Sequence, residues 1–595
     1  MNDFTAPTID WAAVSPVLIV LGAGVLGVLL EAFVPARARR TTQIVLALAA
    51  LAGSLVAIAL LWDRVQDGSV AVVGGSYVLT PFGLGIQAVV ALCALLGVLV
   101  VADRTTTGQD AFAPAAAAVP GTAYEDETRR AGLQQTEVYP LLLFATGGML
   151  LFPATDDLIV MFVALEVLSL PLYVLCATAR RRRLLSQEAA FKYFLLGAFA
   201  SALFIFGVAL VYGFSGSVQL EEVVAVLADP SASPLGTMPG LVVAGLLLVM
   251  VGLLFKIGAA PFHTWTPDVY QGAPTPITGF MAACTKAAAA GALVRVVFTL
   301  AAGLDAGIRH DVEVTLWAVA ILTMLVGTVA GAVQTDVKRL LAYSSIAHAG
   351  FLLVGTVGLD EAGSRAVLFY LLAYGLATVG AFAVVTLVRE RTVTAGEPSS
   401  VEPVETRGEV TDDGVVLGEA TRLAQWAGLG RKAPWLTAAF SLFLLSMAGI
   451  PLTAGFLAKF GVFSAAVEAG AWPLALLGVL ASAVSVFFYV RIIVLMVLTP
   501  PADDAATAGE GAAGTTSAGG DPGTGASAVS EPGGVTATIT GAGTRTVVVR
   551  TVVTVVGSRG PAAVAIALCA AGVLLLGVLP AWALDLAGQA SQFRY

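Results

Sequence analysis

Charge is what this sequence has least of: Asp, Glu, Lys and Arg make up 12% of its 595 residues, whereas 58% are apolar. That is too little charge to solvate several globular domains, which excludes an ordinary soluble protein of this length. Cysteine is nearly missing as well. Cys93, Cys176, Cys284 and Cys569 stand singly in four different apolar stretches. Lone thiols of this kind are packing residues, so no disulfide framework, zinc site or iron–sulfur cluster is expected on the chain. A phosphate-binding loop is also lacking. Gly22-Ala23-Gly24-Val25-Leu26-Gly27 fits the G-x-G-x-x-G pattern, but it follows no strand and sits in an apolar helix, where small residues serve close packing. Nothing points to nucleic acid, and no cofactor is expected on this chain. The N-terminus lacks the basic region and cleavage site of a signal peptide, so the first apolar segment is expected to be retained.

Long apolar runs are what the sequence has in abundance. A bilayer core of about 30 Å takes roughly 20 residues of helix. Such stretches begin near Trp11, Thr42, Tyr77, Val138, Asp157, Glu188, Gly240, Pro274, Val314, Leu340, Arg365, Pro434, Trp472 and Pro561. The expected fold is all-α, a polytopic membrane protein with about 14 transmembrane helices. With the N-terminus outside, 21 of the 31 basic residues fall in inside loops, and only Arg64, Arg309, Arg365 and Arg594 lie outside. This satisfies the positive-inside rule and puts both termini on the outer side.

Gly258 and Pro261 interrupt the seventh span; Gly449, Pro451 and Gly455 interrupt the twelfth. Broken helices five spans apart and running in opposite directions point to inverted repeats with a transport site near the midplane. The organisation expected is 1–102 as three N-terminal spans, 103–136 as an inside loop, and 137–302 as a first repeat (spans 4 to 8). A second repeat (spans 9 to 13) follows over 303–499 with a loop at 390–433, then a low-complexity loop at 500–558 and a last span over 559–595. The loops read as tolerated insertions, and the Gly-, Ala-, Thr- and Ser-rich composition of the last is expected to leave it unordered.

Only six lysines accompany 25 arginines, and four of them, Lys192, Lys256, Lys286 and Lys459, lie within apolar segments. Arginine stays charged at any accessible pH, whereas a buried lysine can release its proton. Each costs about 2.5 to 3.5 kcal/mol at a helix centre, so partners are required. Glu166, the acid well inside a segment, is the expected partner. His263, seven residues after Lys256, and His348, near Tyr343, Ser344 and Ser345, are candidate relays. Lys192 can equally snorkel beside the arginine run. His310 reads as a surface loop residue, and Arg295 and Arg491 as packing or snorkelling charges. Titratable groups inside a bilayer point to proton transport.

At these residues the sequence resembles the antiporter-like membrane subunits of bacterial NADH-quinone oxidoreductase, respiratory complex I, and among them the subunit N branch. The resemblance lies in Phe255 to Pro276 (FKIGAAPFHTWTPDVYQGAPTP), Thr285-Lys286-Ala287, Lys192 to Gly197, and Gly449 to Phe456 through Lys459. It implies Glu166 as the fifth-helix acid, Lys256 as its seventh-helix partner, Lys286 as central relay and Lys459 as the lysine nearest the exit. It also implies that NADH, FMN, iron–sulfur clusters and quinone belong to other subunits, and that the neighbours in the bilayer are subunit M and the side of small subunits K and J. A sodium/proton antiporter or membrane-bound hydrogenase subunit shares much of this pattern. An anion transporter or a pure scaffold fits the titratable residues less well.

Overall fold

The structure is a computed structural model that describes residues 9–66, 68–104, 110–114, 124, 127–128, 135–233, 235, 238–395, 409–411, 414–500, 530–531, 534–535, 537–539, 547–555 and 560–591. The helices that fill the membrane region are α1 (Trp11–Phe33), α2 (Ala36–Leu61), α3 (Pro81–Val101), α4 (Val138–Leu151), α5 (Leu158–Cys176), α6 (Arg183–Ser215), α7 (Pro239–Ile257) and α8 (Trp265–Gly272). They continue with α9 (Thr275–Ala301), α10 (Ala306–Ala332), α11 (Val337–Thr356), α12 (Glu361–Leu387), α13 (Pro434–Ala448), α14 (Ala454–Glu468), α15 (Trp472–Val497), α16 (Pro561–Val578) and α17 (Ala581–Ala590).

Aspartates cap many of these helices. Asp10, Asp157, Asp305, Asp336 and Asp360 each accept backbone N–H groups in the first turn of α1, α5, α10, α11 and α12. An acid there satisfies orphan donors and meets the positive end of the helix dipole, which accounts for acids gathering at span ends. Asp305 extends α10 far enough that His310 is exposed on a helical turn rather than in a loop.

Among the described residues, eleven helices are long and apolar enough to cross a membrane, with Val138–Ala154 and Pro434–Ala448 as shorter apolar helices. Burial separates the eleven into layers. The central windows of α9 and α12 are 100% and 94% buried, against 28% for α15 and 33% for α16. The alanine-rich run through the middle of α9 allows neighbours to approach closely, so this helix sits at the centre. α11 is long enough but too polar to count among the eleven. Lys338, Ser344, Ser345 and His348 are all buried in protein, so these polar groups are kept from lipid.

The long loops expected on the inside depart from the sequence reading. A five-stranded sheet of order β4-β5-β3-β9-β8 unites β3 (Val388–Ala395), β4 (Glu409–Thr411), β5 (Gly414–Glu419), β8 (Ala537–Ile539) and β9 (Val547–Val555). β3 pairs antiparallel with both β5 and β9, so the loops at 390–433 and 500–558 share one sheet. The low-complexity reading failed at β9, whose sequence VVVRTVVTV is the β-branched run that strands favour. Most of 103–136, and the Gly- and Ala-rich stretch at 501–529, lie outside the described residues.

Candidate functional site

Both predicted helix breaks exist, and they are built alike. α7 ends at Gly258 (φ +79°), where the N–H groups of Gly258 and Ala259 both reach the Leu254 carbonyl at 3.0 Å. α13 ends at Gly449 (φ +84°), where Gly449 N–H and Ile450 N–H reach the Leu445 carbonyl at 3.1 and 3.0 Å. Each glycine supplies the left-handed residue of a helix C-cap. Gly455 does a different job from the one expected. It lies within α14, where an added Cβ would stand 1.7 Å from the Ser446 carbonyl oxygen, so it permits two half-helices to touch.

The breaks place two lysines at helix C-termini. Lys256 is in the last turn of α7 and only 3% exposed. Its Nζ lies 3.4 Å from the Tyr173 hydroxyl, and 5.2, 5.0 and 5.5 Å from the ring centres of Tyr173, Tyr193 and Phe255. Trp265, the first residue of α8, stacks on Tyr193 and donates its indole N–H to the Phe255 carbonyl at 3.0 Å, closing the break. Lys459 reaches back from α14, 5% exposed, and donates to the Ala448 carbonyl at 3.0 Å and to Ser482 Oγ at 2.8 Å. Half-helix carbonyl ends stabilise a cation both by hydrogen bonding and through the macrodipole.

Lys286, on α9 and 3% exposed, donates to Ser345 Oγ at 2.7 Å and to the Ser345 carbonyl. Ser345 Oγ also accepts from the Tyr374 hydroxyl at 2.9 Å. One turn along α11, His348 bonds the Tyr370 hydroxyl through Nδ1 at 2.6 Å and the Tyr489 hydroxyl through Nε2 at 3.2 Å. In a neutral imidazole one nitrogen donates and the other accepts, so this ring can pass a proton by changing tautomer. His348, Tyr370, Tyr374, Ser446 and Lys459 line a cavity of about 10 Å³, close to the space of one water. Lys286, Ser345, Tyr374, His348 and Lys459 thus form a buried polar line between two lysines.

The remaining candidates stand elsewhere. Glu166 makes no ion pair within 4.0 Å among the described residues, and its Oε1 is buried without a hydrogen-bond partner. It shares a face of α5 with exposed Ile159, Val163, Leu170 and Val174, and no ion pair joins it to Lys256. Lys192 lies outside this line, in ion pairs of 2.6 Å with both Glu188 and Asp268, the latter also held by Arg339. His263 lies in the break, half-buried, with its Nδ1 unbonded. Arg295 does not snorkel. It is 1% exposed and paired with Asp156 at 3.0 Å. Arg491, exposed, donates to the Ala332 carbonyl at 3.2 Å.

A curated protein of Beutenbergia cavernae, NADH-quinone oxidoreductase subunit N, is 53% identical over 599 residues, covering 99% of each chain. This chain belongs to the NADH-quinone oxidoreductase subunit N family. A second subunit N, from Rhodococcus opacus, is 51% identical over 525 residues and covers 84% of this chain and 90% of its own. The family model described as NADH:quinone oxidoreductase/Mrp antiporter, TM, matches residues 155–485. That range holds Glu166, all four intramembrane lysines and His348. A chain of respiratory complex I from Thermus thermophilus is 31% identical, aligns over 96% of this chain and 99% of its own, and superposes with a TM-score of 0.66. Among the described residues no group of three or more His, Cys, Asp or Glu is placed to hold a metal.

Sequence reasoning missed one lysine of this family member. Lys338 was placed with the inside loops, yet it is 2% exposed, donates to the Ala273 carbonyl at 2.8 Å and lies 3.5 Å from Glu419. Glu419, from β5, also accepts from Thr275, the first residue of α9, and faces Arg389 at 3.8 Å. Nothing in the sequence brings residue 419 to residue 275. The tyrosine cage around Lys256 was missed too, though Tyr173 and Tyr193 were visible as polar-tipped aromatics in apolar spans.

Proposed function

We propose that this chain carries protons across a bacterial cytoplasmic membrane as the subunit N of an NADH-quinone oxidoreductase, through Lys256, Lys286, His348 and Lys459. The observation that carries this reading is the buried polar line in which Lys286 bonds Ser345, Ser345 accepts from Tyr374, and His348, bonded to Tyr370, lines one small cavity with Tyr374 and Lys459. Protons enter from the inside at the Lys256 and Lys286 region and leave outward from Lys459. Glu166, unpartnered on an exposed apolar face, acts on Lys256 from a distance, so movement of either group changes the proton affinity of the lysine. One pKa unit corresponds to about 1.36 kcal/mol, and one charge moved against 100 mV requires about 2.3 kcal/mol, so modest shifts suffice. Lys192 and His263 take secondary parts.

Fourteen crossings follow if α4, α11 and the broken pair α13 and α14 are added to the eleven apolar helices. This gives inverted repeats over 137–302 and 303–499, inside loops at 103–136, 390–433 and 500–558, and both termini outside. The matching caps at Gly258 and Gly449 support the repeat. Energy comes from quinone reduction by subunits that bind NADH, FMN and iron–sulfur clusters. Subunit M and the K and J side are the proposed neighbours, and the exposed stripe of α5 is a surface for one of them.

The test is affinity purification of the tagged chain from its own membranes. Co-purification of NADH:quinone reductase activity, with proton pumping that Lys286→Met abolishes, supports the reading. Purification in a complex lacking that activity, with sodium/proton exchange instead, overturns it in favour of an antiporter; the Mrp complex of Dietzia shares the fold at 22% identity and a TM-score of 0.69.

A further inference from the structure

One cavity lies away from the lysines. It has a volume of about 710 Å³ and is walled by α2, α3, α12, α16 and α17. Its sides are aliphatic, with Leu92 and Leu96 of α3 facing Leu372 of α12 and Leu575 of α16. The space arises because small residues stand where large ones would fill it, among them Ala88, Gly572 and Ala587. The polar atoms are at one end, where Trp62 and Asp63 close α2 and Trp582 opens α17.

Three properties identify the occupant. The wall on α3 runs from Gly85 to Leu96, roughly 17 Å at 1.5 Å per residue, which is about half of a 30 Å hydrocarbon core. Tryptophans at one mouth mark the level of the headgroups. The volume is that of a small-ligand site, whereas a transmembrane helix of about 20 residues, 10–12 Å across, occupies on the order of 2,400 to 3,400 Å³. A partner's helix therefore does not fit, and water has no hydrogen-bonding groups along the walls. Apolar cavities of only about 150 Å³ already take up apolar molecules.

We propose that this cavity is a phospholipid site, holding an acyl chain from the leaflet on the Trp62 and Trp582 side. The lipid joins the second and third helices of the chain to its last two, which come together here from opposite ends of the sequence. The site is independent of which ion the lysines carry.

The test uses the intact complex in bilayers doped with phospholipids bearing a diazirine near the acyl terminus, one headgroup (ethanolamine, glycerol or cardiolipin) at a time. After irradiation the labelled peptides are mapped. Label is expected on the segments around Leu92 and Leu372 and is expected to persist when a detergent wash precedes irradiation, a wash that removes the lipid, and so the label, from exposed Leu476 and Leu480 of α15. Ala88→Phe and Ala583→Phe fill the cavity from two different helices. Each is expected to lower cavity label about tenfold, the result of a 1.4 kcal/mol loss of affinity, while α15 label stays. Cavity label that a wash before irradiation abolishes in the unaltered complex as it does α15 label, or that appears only with an isoprenoid quinone probe, overturns the proposal. So does a cross-link from Leu92 to another subunit.

Discussion

The ammonium of Lys459 donates to the carbonyl oxygen of Ala448, the last residue of the half-helix α13, at 3.0 Å. Eleven residues of sequence and a broken helix separate the two, and the contact holds a charge in the membrane interior by giving it the negative end of a helix. When Lys459 loses its proton the same carbonyl remains in place to hold the ammonium that the next proton restores.

That role requires a group that can lose its proton. Lys459→Arg is expected to keep the bond to Ala448 and to assemble, but to stop proton pumping, because guanidinium does not titrate. Lys459→Met is expected to stop it as well. Pumping is read as quenching of a pH-sensitive dye in proteoliposomes, with NADH oxidation measured in parallel. Normal pumping by the arginine variant would remove Lys459 from the path.

Ser345 joins Lys286 to Tyr374. Ser345→Ala removes the hydroxyl that accepts from both, leaving Lys286 only the carbonyl of residue 345 and the buried Tyr374 hydroxyl without this acceptor, at about 1 to 3 kcal/mol, and is expected to slow pumping at least severalfold. Tyr374→Phe removes one bond without orphaning Lys286 and is expected to be the milder variant in the same assay.

Gly449 is left-handed, and a Cβ there would lie 2.9 Å from Lys459 Cδ. Gly449→Ala therefore combines backbone strain of about 1 to 3 kcal/mol with displacement of the lysine. Gly258→Ala carries similar strain, but its Cβ meets the Thr266 hydroxyl instead. Both are expected to lower the thermal midpoint of the complex, and Gly449→Ala alone to lower pumping per assembled complex in proportion beyond that.

Burial by itself would raise the Glu419 carboxyl, but Lys338, Arg389, the Thr275 hydroxyl and Arg182 outweigh it and hold Glu419 below the usual glutamate range. A depressed folded value means the stabilisation is fully present above the ordinary value of about 4.3 and is lost as pH falls through the lower folded one. Amide exchange around Gly418 to Thr421 is expected to stay slow at neutral pH and to accelerate below about pH 4. Glu419→Gln is expected to exchange faster already at neutral pH and to lose the acid-induced change.

Arg295 and Asp156 are a buried pair at 3.0 Å. Removing either partner is expected to cost about 3 to 5 kcal/mol by stranding the other charge. Arg295→Met should therefore reduce assembled complex on a native gel, and Arg295→Met with Asp156→Leu should recover much of it.

The broken helices and the choice of lysine over arginine were legible because they are local: a glycine and a proline in an apolar run, or a charge within one, signal themselves. The apolar runs marked where helices would form, since crossing a bilayer demands length and hydropathy along one continuous segment. The family resemblance singled out Lys256, Lys286 and Lys459, all of which are buried at breaks or at the centre of the bundle. Which groups meet was decided only by the packing of distant helices. Glu166 turned to an outer face, Tyr173 took the place at Lys256, Ser345 linked Lys286 to Tyr374, and Glu419 closed over Lys338. The shared sheet of two long loops belongs to the same class, since strand pairing across more than 150 residues depends on register and proximity. Sequence alone determined the membrane class and the titratable residues, because both depend on composition within one segment; tertiary structure decided their partners, because a partner is chosen by whatever helix packs alongside.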